Sequence, residues 1–125
     1  MLDHVSIGVR DLARTQNFYD AALAPLGYAR GYADATQLGY GAKRLRFWAA
    51  VADRPVPADM ESGLHFCFGA PSRTSVDAFH AAALKAGGKD NGAPGLREKY
   101  GPNYYAAFVI DPDGYRLEAY CSAEA

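Results

Sequence analysis

DHVSIGVRDLARTQNFYDAALAPLG, residues 3–27, lies over LHFCFGAPSRTSVDAFHAAALKAGG, residues 64–88, without a gap. The offset is 61 residues, so His4 falls on His65, Gly8 on Gly69, Phe18 on Phe79 and Gly27 on Gly88. Alanine matches mean little in this composition, but His, Gly and Phe in one register point to an internal repeat. Each copy opens on a period-2 stretch: Val5, Ile7, Val9 in one, Phe66, Phe68, Ala70 in the other. That alternation predicts a half-buried strand. Asp11, and Ser72 to Thr74, then supply polar side chains suited to an N-cap. Helical spacing follows, with Leu12, Tyr19, Leu23 and with Val76, Phe79, Ala83, Leu84, until Gly27, Gly87 and Gly88 stop the helices.

Working outward, three strand-like stretches follow each helix. In the first half they span about 27–33, 35–41 and 43–51. In the second they span about 88–92, 104–111 and 114–122. LRFWAA from Leu45 aligns with YRLEAY from Tyr115 at an offset of 70, so the second half carries a longer loop. The Gly- and Pro-rich stretch Asn91–Asn103 is its expected place, and a candidate lid. Asp111-Pro112-Asp113-Gly114 predicts the turn of the last hairpin. The expected fold is α+β: a single domain over 1–125, built from two βαβββ modules. Module 1 covers about 1–52, a Pro-containing linker about 53–62, and module 2 about 63–122. The sheets are expected to curl around a cleft, with the helices outside.

Strand alternation assigns the faces. If Val5, Ile7 and Val9 pack under the helix, then His4, Ser6 and Gly8 face the cleft. By the same rule His65, Cys67 and Gly69 face it from the copy. Arg116, Glu118 and Tyr120 face it from the last strand, and Arg46 and Trp48 from the strand aligned with it. Two histidines and a carboxylate thus reach one face from three strands. Imidazole and carboxylate suit Fe, Mn, Zn or Ni, and three ligands leave coordination positions open for substrate. His4, His65 and Glu118 are the expected ligands. Tyr120 and Arg116, on the Glu118 face, are the catalytic candidates. Trp48, Arg97, Lys99, Tyr104 and Tyr105 are the substrate-binding candidates, and for all but Trp48 a packing or surface role is the commoner one for such residues. Trp48 would wall the ligand or fill the sheet interface. Cys67, beside His65, is expected to be an inert thiol, and His80 to be structural.

Composition narrows the function. The chain has 125 residues, half of them hydrophobic, which excludes disorder. Thirteen basic residues against fourteen acidic ones, scattered, argue against a nucleic-acid partner. Apolar runs are too short for a membrane span. The start, MLDHVSIGV, has no basic or apolar leader pattern, and two cysteines without metal spacing fit reduced thiols. A cytoplasmic protein with a small-molecule substrate is expected.

Three stretches, DHVSIGVRDLARTQNFYDAAL, GLHFCFGA and YYAAFVIDPDGYRLEAYC, resemble the glyoxalase / bleomycin-resistance / extradiol-dioxygenase superfamily, also called the vicinal-oxygen-chelate superfamily. The resemblance covers nearly the whole chain, and the DPDG turn leading into a Glu-bearing strand is its most specific part. It implies paired βαβββ modules, with ligands at positions matching His4, Trp48, His65 and Glu118. Trp48 departs from the pattern, because indole cannot ligate, and leaves three ligands. It also implies a metal that chelates vicinal oxygens, in a lyase, isomerase, transferase or dioxygenase. The resemblance further implies a homodimer, with His4 donated across the interface. Two other readings stand beside it. One is a metal-free drug- or metabolite-sequestering protein like the bleomycin-resistance members. The other is a structural domain without a ligand-sized cleft.

Overall fold

The structure is a computed structural model that describes residues 1–57 and 59–124. Along the chain come β1 (Val5–Val9), α1 (Leu12–Leu23), a 3₁₀ turn (Ala24–Leu26), β2 (Ala29–Ala33), β3 (Gln37–Gly41) and β4 (Leu45–Val51). The second series is β5 (His65–Gly69), α2 (Arg73–Lys85), β6 (Lys89–Leu96), β7 (Tyr105–Ile110) and β8 (Arg116–Cys121). The strands form two four-stranded mixed sheets, ordered β1-β4-β3-β2 and β5-β8-β7-β6. This is the βαβββ unit twice over, as two separate open sheets. Between β4 and β5 runs the segment expected as the linker, in which Ala58 lies outside the described residues.

The repeat holds in the hydrogen-bond register. In the parallel pair β1/β4, Ser6 lies opposite Trp48. In the parallel pair β5/β8, Cys67 lies opposite Glu118. The helix between each pair provides the crossover that parallel neighbours require. Asp11 caps α1 by accepting from the Arg14 amide, and Ser72 caps α2 by accepting from the Ser75 amide. Gly27, at φ 88°, ends the first helical run with Tyr28 N–H donating to Leu23 O. At the end of α2 the left-handed residue is Gly87, at φ 102°, and Gly88 N–H donates to Ala83 O. The structural counterpart of Gly27 is therefore Gly87, and the ungapped sequence match slips by one at its last position.

One hydrophobic core serves both modules. Tyr19 on α1 packs against Phe47 of β4 at 5.0 Å between ring centres, and Phe47 meets Phe68 of β5 at 5.2 Å. The DPDG turn of the second module clasps the first. Tyr19 OH donates to buried Asp111 at 2.5 Å, Tyr115 OH donates to Gly8 O at 2.7 Å, and Arg14 pairs with Asp113 at 3.0 Å. These contacts occupy the helix-bearing faces. The opposite faces carry His65, Glu118 and Trp48, whereas Tyr105 packs against the core.

The long loop is shorter than the sequence suggests. Strand β6 continues to Leu96, so the stretch read as one loop from Asn91 is half strand. Two register shifts, between Asp90 and Gly92 and between Gly92 and Gly95, absorb the Gly and Pro residues as bulges on an edge strand. Only residues 97–104 remain as connection.

Candidate functional site

Strand β8 is central in its sheet, with β5 on one side and β7 on the other. His65 lies opposite Arg116 and Cys67 opposite Glu118, so His65 and Glu118 are diagonal neighbours on the open face. His65 Nε2 stands 3.2 Å from Glu118 Oε1. The other carboxylate oxygen, Oε2, accepts from the Tyr104 hydroxyl at 2.5 Å. The Tyr104 ring stacks on Tyr120 at 4.0 Å and touches Tyr100 at 5.2 Å. Glu118 is 4% exposed, a rare degree of burial for a carboxylate that has no Lys or Arg partner.

The electrostatics follow from that burial. Desolvation, and then the hydrogen bond to Glu118, hold the Tyr104 phenol well above its ordinary range. Cys67 belongs to the exposed residues, yet its thiol is pushed up to about 12, first by desolvation and then by the Glu118 carboxylate. It is a neutral thiol at physiological pH, not a nucleophile. Both cysteines are free.

A cavity of about 500 Å³ opens beside this group and falls within the usual size of small-ligand pockets. His65, Arg97, Tyr104, Arg116 and Glu118 all line it, together with Asn91, Gly92, Tyr100 and Phe108. Five of the candidates are not among its lining residues, and one of them, Tyr120, only backs Tyr104. Lys99 lies over the Tyr100 ring at 5.0 Å. Tyr105, one residue along from Tyr104, points the other way and donates to Asp77 on α2 at 2.6 Å. Trp48 and His4 belong to the first module. Trp48 lies on the flat surface left by Gly39, where an added Cβ would come within 2.8 Å of the indole, and Tyr32 is 5.6 Å from it. His4 immediately precedes β1, half exposed, with Nδ1 2.9 Å from Asp3 Oδ1. Asp3 is itself held by Arg44 at 2.6 Å, and its backbone carbonyl by Arg46 at 2.8 Å. The His4 hydrogen bond and then the Arg44 charge pull the Asp3 carboxyl below its usual value.

Within one chain, then, two of the three expected ligands meet. Among the described residues no group of three or more His, Cys, Asp and Glu is close enough to hold an ion. The pair still fits a divalent cation in its chemistry. A ring nitrogen and a carboxylate oxygen face each other, and a phenol orients the carboxylate from behind, as metal sites commonly require. Asp3 likewise takes up His4 Nδ1 and leaves Nε2 for another partner. The Tyr104 clamp and the Asp3 orienter were missed in sequence. The only signals for them were the Tyr104-Tyr105 pair before β7 and the adjacency of Asp3 to His4.

Fold and site together define a two-module βαβββ protein with an oxygen-and-imidazole pocket on an open sheet face. Residues 1–119 match the family model described as the Glyoxalase/Bleomycin resistance protein/Dioxygenase superfamily, and the chain belongs to that family. A glyoxalase/bleomycin resistance protein from Albidiferax ferrireducens T118 is similar over 97% of this chain and 98% of its own, at 35% identity and a TM-score of 0.84. The genomically encoded fosfomycin resistance protein FosX from Listeria monocytogenes shares the fold at 16% identity and a TM-score of 0.70, over 97% and 92% of the two chains. A mutant of FosX, complexed with Mn(II) and 1S,2S-dihydroxypropylphosphonic acid, aligns at 15% identity and a TM-score of 0.68, over 96% and 88% of the chains. No curated protein matches the chain. No described helix is long and apolar enough to cross a membrane.

Proposed function

We propose that this chain is a divalent-metal-dependent enzyme, located in the cytoplasm, that acts on a small oxygenated substrate. The metal is Fe, Mn, Zn or Ni, held by His65 and Glu118 of one chain and His4 of a second copy. The observation that carries this reading is the 3.2 Å approach of His65 Nε2 to Glu118 Oε1 at the edge of a ligand-sized cavity. His4 cannot complete the set within its own chain, which supports a homodimer with the histidine donated in trans. Support also comes from FosX, whose mutant was obtained with Mn(II) and a vicinal diol.

A bound metal supplies Lewis-acid stabilisation of charge developing on chelated substrate oxygens. The chain's own residues do the rest. Tyr104 fixes the Glu118 carboxylate and shields it from water. Arg116 is permanently cationic, so its role is to bind or stabilise negative charge, not to shuttle protons. Tyr120, the other catalytic candidate on that face, supports Tyr104 by stacking. The class of reaction is lyase, isomerase, transferase or dioxygenase.

The second reading, metal-free sequestration of a drug or metabolite, is favoured by one feature: the Trp48–Tyr32 aromatic surface on the open face of module 1. Metal content separates the two. Native protein purified without chelator should carry a stoichiometric transition metal by mass spectrometry, and His65→Ala should lose it. Ligand binding undiminished by EDTA would favour sequestration. The trans arrangement has its own test: mixing His4→Ala with His65→Ala chains rebuilds one intact site per heterodimer. If the mixture recovers no metal while both variants stay folded, donation across the interface is wrong.

A further inference from the structure

We propose that the ligand of the His65–Glu118 cavity is an anion, a carboxylate or a phosphonate, whose charged group is held by Arg97 and Arg116. The inference deepens the metal-site reading, on which it rests only for the position of the ligand's other end. Arg97 and Arg116 both line the cavity beside Glu118. Both residues are half-buried. Neither has a carboxylate within ion-pair distance among the described residues. Glu118 forms no ion pair with either arginine, and its two oxygens meet His65 and Tyr104 instead.

Each arginine is nonetheless held in place. Arg97 Nη2 donates to Ala93 O at 2.7 Å and its guanidinium lies over the Phe108 ring at 5.3 Å. Arg116 Nε donates to Leu64 O at 3.1 Å. A guanidinium has five N–H donors, so most of each fork remains uncommitted. The backbone makes room for this arrangement. A Cβ at Gly92 would come within 3.3 Å of Arg97 Nη2, and one at Gly95 within 3.2 Å of Nη1. Gly92 also sits at φ 151°, where side chains are strained. The bulged strand thus leaves its two glycines where any side chain would crowd the guanidinium. Half-buried cations without counter-charge are costly unless an anion arrives to pair with them. Planar forks of this kind recognise carboxylate and phosphonate oxygens bidentately.

The probes are lactate, its neutral analogue lactamide, and hydroxymethylphosphonate, titrated calorimetrically into native protein of measured metal content. At least one anion should bind about tenfold or more tightly than lactamide, and the better of the two identifies the head group. Arg97→Gln and Arg116→Gln should each bring that preference to within about twofold while metal content stays unchanged. Chelation of lactate by the metal alone would leave the preference intact in both variants, and that result overturns the proposal. Wild-type affinity for both anions no higher than for lactamide, or no binding of either anion at millimolar concentration, overturns it too. Anion binding that needs both arginines in protein devoid of metal would sustain the proposal and sink the metalloenzyme instead.

Discussion

The two modules share one backbone plan and differ in what that plan presents. Ser6 opposite Trp48 in the first is matched by Cys67 opposite Glu118 in the second. Where module 2 has a carboxylate, module 1 has an indole lying over Gly39. Where module 2 clamps Glu118 beside His65 with Tyr104, module 1 offers a half-exposed histidine steadied by Asp3. A duplicated fold makes two equivalent places for a site. Here the second place carries both an imidazole and an acid and the first only an imidazole, which is why the proposed three-ligand centre draws on both modules.

The difference depends on the modules being held together, and Phe47 packs across their boundary. It is 5% exposed and touches Tyr19 from its own module and Phe66 and Phe68 from the other. Phe47→Ala should cost about 3–5 kcal/mol in denaturant unfolding. A cost below 1 kcal/mol would mean that the modules are stable separately and that the shared core matters little.

A sharper test acts on the clamp. Tyr104→Phe removes the hydroxyl that orients Glu118 and keeps the ring that stacks on Tyr120. Metal affinity should fall about 10–100-fold with little loss of thermal stability, as for other groups supporting a metal ligand. An unchanged affinity would show that Glu118 is positioned by burial alone. Its environment would then differ less from that of Trp48 than the geometry implies.

Much of this was legible in the sequence because it depends on local chemistry. Asp11 and Ser72 read as caps and are caps. The alternation that put His65 and Glu118 on one face holds in the register. The illegible parts are those where neighbours overrule composition. Gly92, Pro94 and Gly95 read as loop, but an edge strand tolerates bulges and a missing N–H on its free side. Tyr104 and Tyr105 look interchangeable in sequence, yet the last loop residue turns to Glu118 and the first residue of β7 to Asp77. Asp111 announced a turn. Nothing local said that its carboxylate would be buried against a tyrosine of the other module.

That buried carboxylate gives a prediction in pH. Burial outweighs the hydrogen bonds from Tyr19 and the Tyr115 amide, and Asp111 is pushed up to about 6. Asp113 and Tyr115 face it from its own turn, Tyr19 from α1, and Arg14 balances Asp113. A carboxyl whose folded pKa exceeds its unfolded one binds its proton more tightly when folded. The stabilisation from this group is therefore complete below about pH 4 and is lost as pH rises through 6. Melting should move upward by several degrees between pH 7.5 and 5, on the order of 2 kcal/mol. Asp111→Asn should flatten that slope. An equally steep slope in the variant would assign it to other groups.

The smallest expected effect falls on the first module and bears most directly on the comparison. Asp3 stands to His4 as Tyr104 stands to Glu118, but it is exposed, and solvent and salt weaken what it can do. Asp3→Asn keeps an oxygen able to accept from His4 Nδ1 and removes only the charge. Metal affinity of the native protein should drop by about 3–10-fold, the lower end of what ligand-orienting groups contribute. The loss should shrink at high ionic strength, whereas the loss in Tyr104→Phe should not. Equal losses, equally indifferent to salt, would mean that His4 is enclosed in the assembled protein as deeply as Glu118. The exposed imidazole of the single chain would then be a measure of how much surface the second copy covers.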